Sequence, residues 1–85
     1  MNIQEFCEQL NALSGRAKDS MDKLERERNY VIETMQKTQG SFGDQPPGQK
    51  LVTTLYHANN ALTSADSALY MLRSRIESYI QQTRK

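Results

Sequence analysis

Apolar residues in this chain step by four and three, over and over, on both sides of a single cluster of glycine and proline. After the cluster, Leu51, Leu55, Ala58, Leu62, Ala65, Leu69, Leu72, Ile76, Tyr79 and Thr83 keep that rule without a break. Before it, Ile3, Cys7, Leu10, Ser14, Ala17, Met21, Leu24, Arg28, Val31 and Met35 do the same. Alternating steps of four and three average 3.5 residues, the repeat of a helix that winds left-handed against a partner. Strand-type alternation occurs nowhere, so the fold class is all-α.

The break between the two halves is Gly40-Ser41-Phe42-Gly43-Asp44-Gln45-Pro46-Pro47-Gly48, which holds both prolines and three of the four glycines. Glycine tolerates the backbone of a helix end, and proline opens a helix more readily than it continues one. At the other end, Asn2 followed by Glu5 has the form of a capping box. These signals predict one domain over 1–85, with a first helix over about 2–39, a turn at 40–47 and a second helix over about 47–83. At 1.5 Å per residue each helix spans about 55 Å, the length of a rod.

Folding the chain back about Gly43 pairs Met35 with Leu51, Val31 with Leu55, Arg28 with Ala58 and Leu24 with Leu62. The same mirror sets Met21 against Ala65, Ala17 against Leu69, Ser14 against Leu72, Leu10 against Ile76 and Cys7 against Tyr79. Large residues mostly face small ones, as packed layers of constant spacing require. The expected architecture is an antiparallel two-helix hairpin.

A hairpin buries one stripe per helix, and here apolar residues lie outside that stripe. Val52, Tyr56 and Tyr70 follow a second line in the second helix; Phe6 and Leu13 do so in the first, and Ile32 flanks the seam near the turn. A helix with two neighbours needs a wider apolar face than a helix with one. Phe6, Leu13, Val52, Tyr56 and Tyr70 are therefore the candidate partner-binding residues, with a second hairpin completing a four-helix bundle. Size argues the same way. An 85-residue chain with one cysteine has no internal disulfide and a small core, which makes it marginal alone.

Composition narrows the function classes. Eleven Lys and Arg against ten Asp and Glu leave a net charge of +1, without the basic stripe that nucleic acid or an anionic membrane selects. No apolar run reaches the roughly 20 residues of a membrane span, and no cleaved signal-peptide pattern opens the chain. Asp19 to Arg28 is dense in charge, but the signs interleave. Lys18 with Asp22, Asp22 with Arg26 and Lys23 with Glu27 sit four apart, as solvated i,i+4 pairs do. Cys7 and His57 are the sole thiol and imidazole, and the hairpin separates them along the rod. Neither a nucleophile–base pair nor a chelating set can be built from them. The expectation is a protein without catalytic, metal or cofactor sites.

Phe42 sets a large ring in a glycine-rich bend, either capping the core or offered to a partner. With its two long helices, its length and its aromatic–glycine bend at Phe42-Gly43, the chain resembles the WXG family of type VII secretion, the early-secreted-antigen-like hairpins. The resemblance is architectural. The family's bend has Trp, any residue, then Gly, whereas Gly43 follows Phe42 directly and Asp44 stands in the Gly place. The family's C-terminal signal, Tyr followed four residues later by an acid, has no match: Ser74 follows Tyr70 and Thr83 follows Tyr79 at that distance.

That resemblance implies a non-enzymatic interaction protein of Gram-positive bacteria. It implies pairing with a second small hairpin, with the N-terminal helical domain of an LXG toxin, or with its own copy. It also implies cytoplasmic residence before export, and passage through type VII machinery with Phe42 and Gly43 as the signal-like turn. The missing acid suggests that a partner chain supplies the rest of that signal. The competing readings are a small helical subunit or chaperone of a type III needle-like assembly, and a generic coiled-coil adaptor.

Overall fold

The computed structural model describes residues 1–84. It consists of two helices, α1 over Ile3–Phe42 and α2 over Pro46–Thr83, packed against one another as a hairpin. The rod measures 60 × 18 × 15 Å.

Local chemistry accounts for the helix ends. Asn2, in extended conformation, accepts a hydrogen bond from the Glu5 backbone N–H at 2.8 Å. The Glu5 carboxylate reaches back to the Asn2 amide at 3.4 Å, so the capping box closes through the side-chain amide. At the bend, α1 runs three residues further than Gln39, through Gly40 and Ser41 to Phe42. Gly40 does not stop the helix, because no residue of this bend needs positive φ. Proline sets the limit instead. Gln45 is extended, as the residue before proline prefers, and Pro46 and Pro47 occupy the first turn of α2, where their missing N–H groups are not needed. The turn is closed by Gly43 N–H donating to the Gln39 carbonyl and Gln45 N–H donating to the Phe42 carbonyl, both at 3.1 Å.

Gly48 is the close-packing point of the bend. It is buried, and a methyl group added there would overlap the Phe42 carbonyl oxygen and crowd the Phe42 Cβ. Only glycine lets α2 start so close to the end of α1.

The register is fixed by three contacts at the far end. Phe6 meets Tyr79 edge-on with ring centroids 5.7 Å apart, Cys7 Sγ lies 3.6 Å from Thr83 Oγ1, and Arg73 Nε donates to Ser14 Oγ at 3.2 Å. Carried along the rods, this register retains the expected seam of α1 from Cys7 to Met35, leaves Ile3 exposed, and extends the seam to Thr38, which is buried with its hydroxyl bonded to the Thr34 carbonyl at 2.8 Å.

In α2 the seam differs from the expected one. Leu55, Leu62, Leu69 and Ile76 face α1 as anticipated, but the alternate positions are Gly48, Val52, Asn59, Asp66, Arg73 and Ile80. Leu51, Ala58, Ala65 and Tyr79 are exposed instead, and Leu72 is half-buried at the edge. One matched polar contact accompanies the rotation. Ser14 of α1 lies against Arg73, and Arg28 lies level with Asn59. The mirror drawn on apolar residues would have set Ser14 against Leu72 with no polar partner, at a desolvation cost.

The core that results is thin. Ala17, Ile76 and Ile80 are its only buried apolar residues among those described, and none of the described side chains is fully enclosed. Gly48→Ala should destabilise the hairpin by about 1–3 kcal/mol, read as a lower thermal midpoint in circular dichroism. Gly40→Ala, with open space around its Cα, should stabilise it.

Candidate protein-interaction faces

The residues singled out from the sequence fall in three different places. Val52 is a correction: it lies half-buried in the hairpin's own seam and is not a free flank. Phe6 and Leu13 lie along one side of the rod, 37% and 44% exposed. Tyr56 and Tyr70 lie along the opposite side, 54% and 65% exposed. The five residues therefore do not form one surface.

The side bearing Phe6 and Leu13 is the more apolar. The Phe6–Tyr79 ring contact places Tyr79 on it, and the same register sets Leu13 level with Leu72 one heptad further from the open end. Continuing in heptads along α2 adds Ala65, Ala58 and Leu51, all exposed. This Leu72 face is a row of apolar side chains running the length of α2, joined by Phe6 and Leu13 of α1. Sequence reasoning missed Leu51, Leu72 and Tyr79 as surface residues by assigning them to the seam. The signal that would have found them is the second four–three series through Asn59, Asp66 and Arg73, which shares Leu55, Leu62, Leu69 and Ile76 with the first.

The Tyr70 face is mostly polar. An open groove there is lined by Asn11, Ser14, Tyr70, Arg73, Ser74 and Glu77 among others. Arg73 is bridged to Ser14 within it. At the bend, Phe42 is the last residue of α1 and is 55% exposed. Gly43 follows in ordinary right-handed backbone, closing the turn.

Electrostatics on the outer side of α1 are local. Lys18 Nζ sits 2.6 Å from Asp22 Oδ1, and Lys37 Nζ sits 3.2 Å from Glu33 Oε1. The two other pairs anticipated from the sequence, Asp22 with Arg26 and Lys23 with Glu27, are not in ion-pair contact. The hydrogen bond from Lys18 holds the Asp22 carboxyl below its ordinary pKa, with Coulombic help from Lys18, Arg26 and Arg73 outweighing partial burial. At mid-rod, Arg28 Nε and Asn59 Oδ1 are buried without a hydrogen-bond partner. This polar layer is a donor and an acceptor at one level of the seam. Cys7 contacts Thr83, and His57 lies edge-on to Tyr56 with centroids 5.9 Å apart. The described residues bring together no group of three or more His, Cys, Asp and Glu. No helix among the described residues is long and apolar enough to cross a membrane.

Comparison with known proteins returns no matching family, no matching curated protein and no matching solved structure.

Two outcomes follow from this geometry. Replacing Arg28 and Asn59 together by leucine should raise stability by about 1–3 kcal/mol, because a buried unpaired donor and acceptor disappear. It should also loosen the register, read as additional amide resonances in an NMR spectrum. In Lys18→Met, the Asp22 carboxyl should titrate nearer the ordinary aspartate value. The Lys18–Asp22 contribution to stability is present above that ordinary value and is lost as pH falls through the lowered one. It is small for so exposed a pair.

Proposed function

We propose that this chain is a non-enzymatic interaction protein that pairs with a second helical hairpin, or with the N-terminal helical domain of an LXG-type toxin, to form an export-competent complex of type VII secretion. The observation that carries the pairing is the Leu72 face. A hairpin with a three-residue buried apolar core leaves Phe6, Leu13, Leu51 and Tyr79 in water along one side. Covering that side is the direct way for so small a fold to gain stability. A second hairpin supplies a matching rod and makes a four-helix bundle.

The secretion part of the reading rests on the resemblance at the bend. Phe42 is exposed at the tip of the rod, next to Gly43, and its ring is free to meet another molecule. The acid four residues after tyrosine is missing in this chain, so in this reading the partner provides it. The chain then acts as the targeting half of a heteromeric cargo.

Co-expression with small-hairpin and LXG-toxin products of neighbouring reading frames, followed by mass determination, tests the pairing. The expected result is a stable complex of defined stoichiometry with one of them. No complex with either would contradict the proposal, and a purified chain that polymerises would favour a needle-like subunit. Phe42→Ala should reduce secretion of the complex severalfold with helicity unchanged by circular dichroism. Unimpaired secretion would remove the bend from the mechanism.

A further inference from the structure

We infer that the Leu72 face is the docking face, and that its occupant is an amphipathic helix or helix pair whose apolar stripe is bordered by acidic side chains rather than a second copy of this chain. This rests on the proposed pairing function and adds which side docks and what chemistry it selects.

The charges around the face carry the inference. Three residues on from the Phe6 and Leu13 line of α1, one step outward around the helix, stand Arg16, Lys23 and Lys37, all exposed. On α2 the equivalent step outward from Leu72 is Arg75, also exposed. The acids are placed elsewhere. In α2, Asp66 is in the seam and Glu77 lines the groove of the Tyr70 face. Glu27 is the one carboxylate within the Leu72 face or its rim. Lys37 is held by Glu33, while Arg16, Lys23 and Arg75 make no ion pair among the described residues. Arg16, Lys23 and Arg75 thus border the Leu72 face outside ion-pair contact, against the single carboxylate of Glu27, while Arg84 lines the opposite groove and Arg28 and Arg73 lie in the seam.

Such a border discriminates between occupants. A second copy of the chain would bring cationic rim against cationic rim, and like charges facing across an interface disfavour the pairing. A helix with Glu or Asp beside its apolar stripe meets the same rim with opposite charge. Size is adequate, since the long side of a rod 60 Å by 15–18 Å is comparable to the ~800 Å² per partner of a standard interface. Alanine at 58 and 65 in mid-row leaves room for a helix backbone to approach. An anionic membrane would be better met by bulky apolar and aromatic residues along the whole row.

The test uses the full chain and three probes in anisotropy or flotation assays. Two are labelled helical peptides sharing one leucine–alanine stripe, with either glutamate or lysine flanks. The third is a vesicle of phosphatidylcholine and phosphatidylglycerol. The glutamate-flanked peptide should bind about tenfold or more tighter than the lysine-flanked one at low salt, with the gap narrowing as salt rises. The exposed triple variant Arg16→Glu, Lys23→Glu, Arg75→Glu should reverse that preference with helicity unchanged. Tyr56→Ser with Tyr70→Ser, on the opposite side, should leave it intact. Equal or reversed preference in the parent chain, binding to neither peptide, or binding to the vesicle alone would overturn the inference. So would loss of binding in the tyrosine variant with none in the charge variant, or a stable dimer of the free chain through this face. These outcomes are independent of secretion: a failed export assay bears on the proposed function and leaves the peptide result standing.

Discussion

In α2 the line of greatest apolar content and the line that faces α1 do not coincide. The two share Leu55, Leu62, Leu69 and Ile76, but the hairpin takes Asn59, Asp66 and Arg73 as alternates and leaves Leu51, Ala58, Ala65, Leu72 and Tyr79 to one side. Everything distinctive about the molecule follows from that offset. A seam with polar side chains every seventh residue gives a core of small extent, and the displaced hydrocarbon becomes a surface. One polar contact, Arg73 donating to Ser14, ties the helices near the open end, while at mid-rod Arg28 and Asn59 come level in the seam with Arg28 Nε and Asn59 Oδ1 left without a partner. Polar layers of this kind trade stability for a defined alignment.

Much of this was legible in the sequence, for identifiable reasons. The four–three spacing required helices, the proline pair required a bend, and the Asn2–Glu5 cap required the start that is observed. The α1 seam was legible because its polar members, Ser14 and Arg28, interrupt an otherwise unambiguous apolar line. The α2 seam was not, because two series fit equally well and the more apolar was preferred. That preference assumes the hairpin is the complete folding unit. Where part of the hydrocarbon is meant for another molecule, the most apolar line need not be the internal one. Val52 was misplaced by the same rotation, and the grouping of Phe6 and Leu13 with Tyr56 and Tyr70 failed because periodicity alone does not say which side of the seam a flank occupies. The extension of α1 to Phe42 was hidden by Gly40, which is read as a stop but sits here in ordinary helical backbone.

The division of the surface gives the proposed function its physical content. One long side offers hydrocarbon with a cationic border, the other presents tyrosines over a polar groove, and the tip presents Phe42. Pairing through the first side leaves the tip free, so assembly and recognition by other machinery need not compete. Burial of the Leu72 face would enlarge the apolar core of a fold that, alone, encloses very little.

The central claim is that the lone hairpin is incomplete. Equilibrium urea unfolding of the purified chain, with mass measured by sedimentation in the same buffer, tests this most directly. The account predicts a monomer whose unfolding free energy falls short of the ~5–15 kcal/mol of ordinary domains, and which gains stability when a helical partner is added. A monomer unfolding cooperatively within that ordinary range, unaffected by any helical partner, would contradict it.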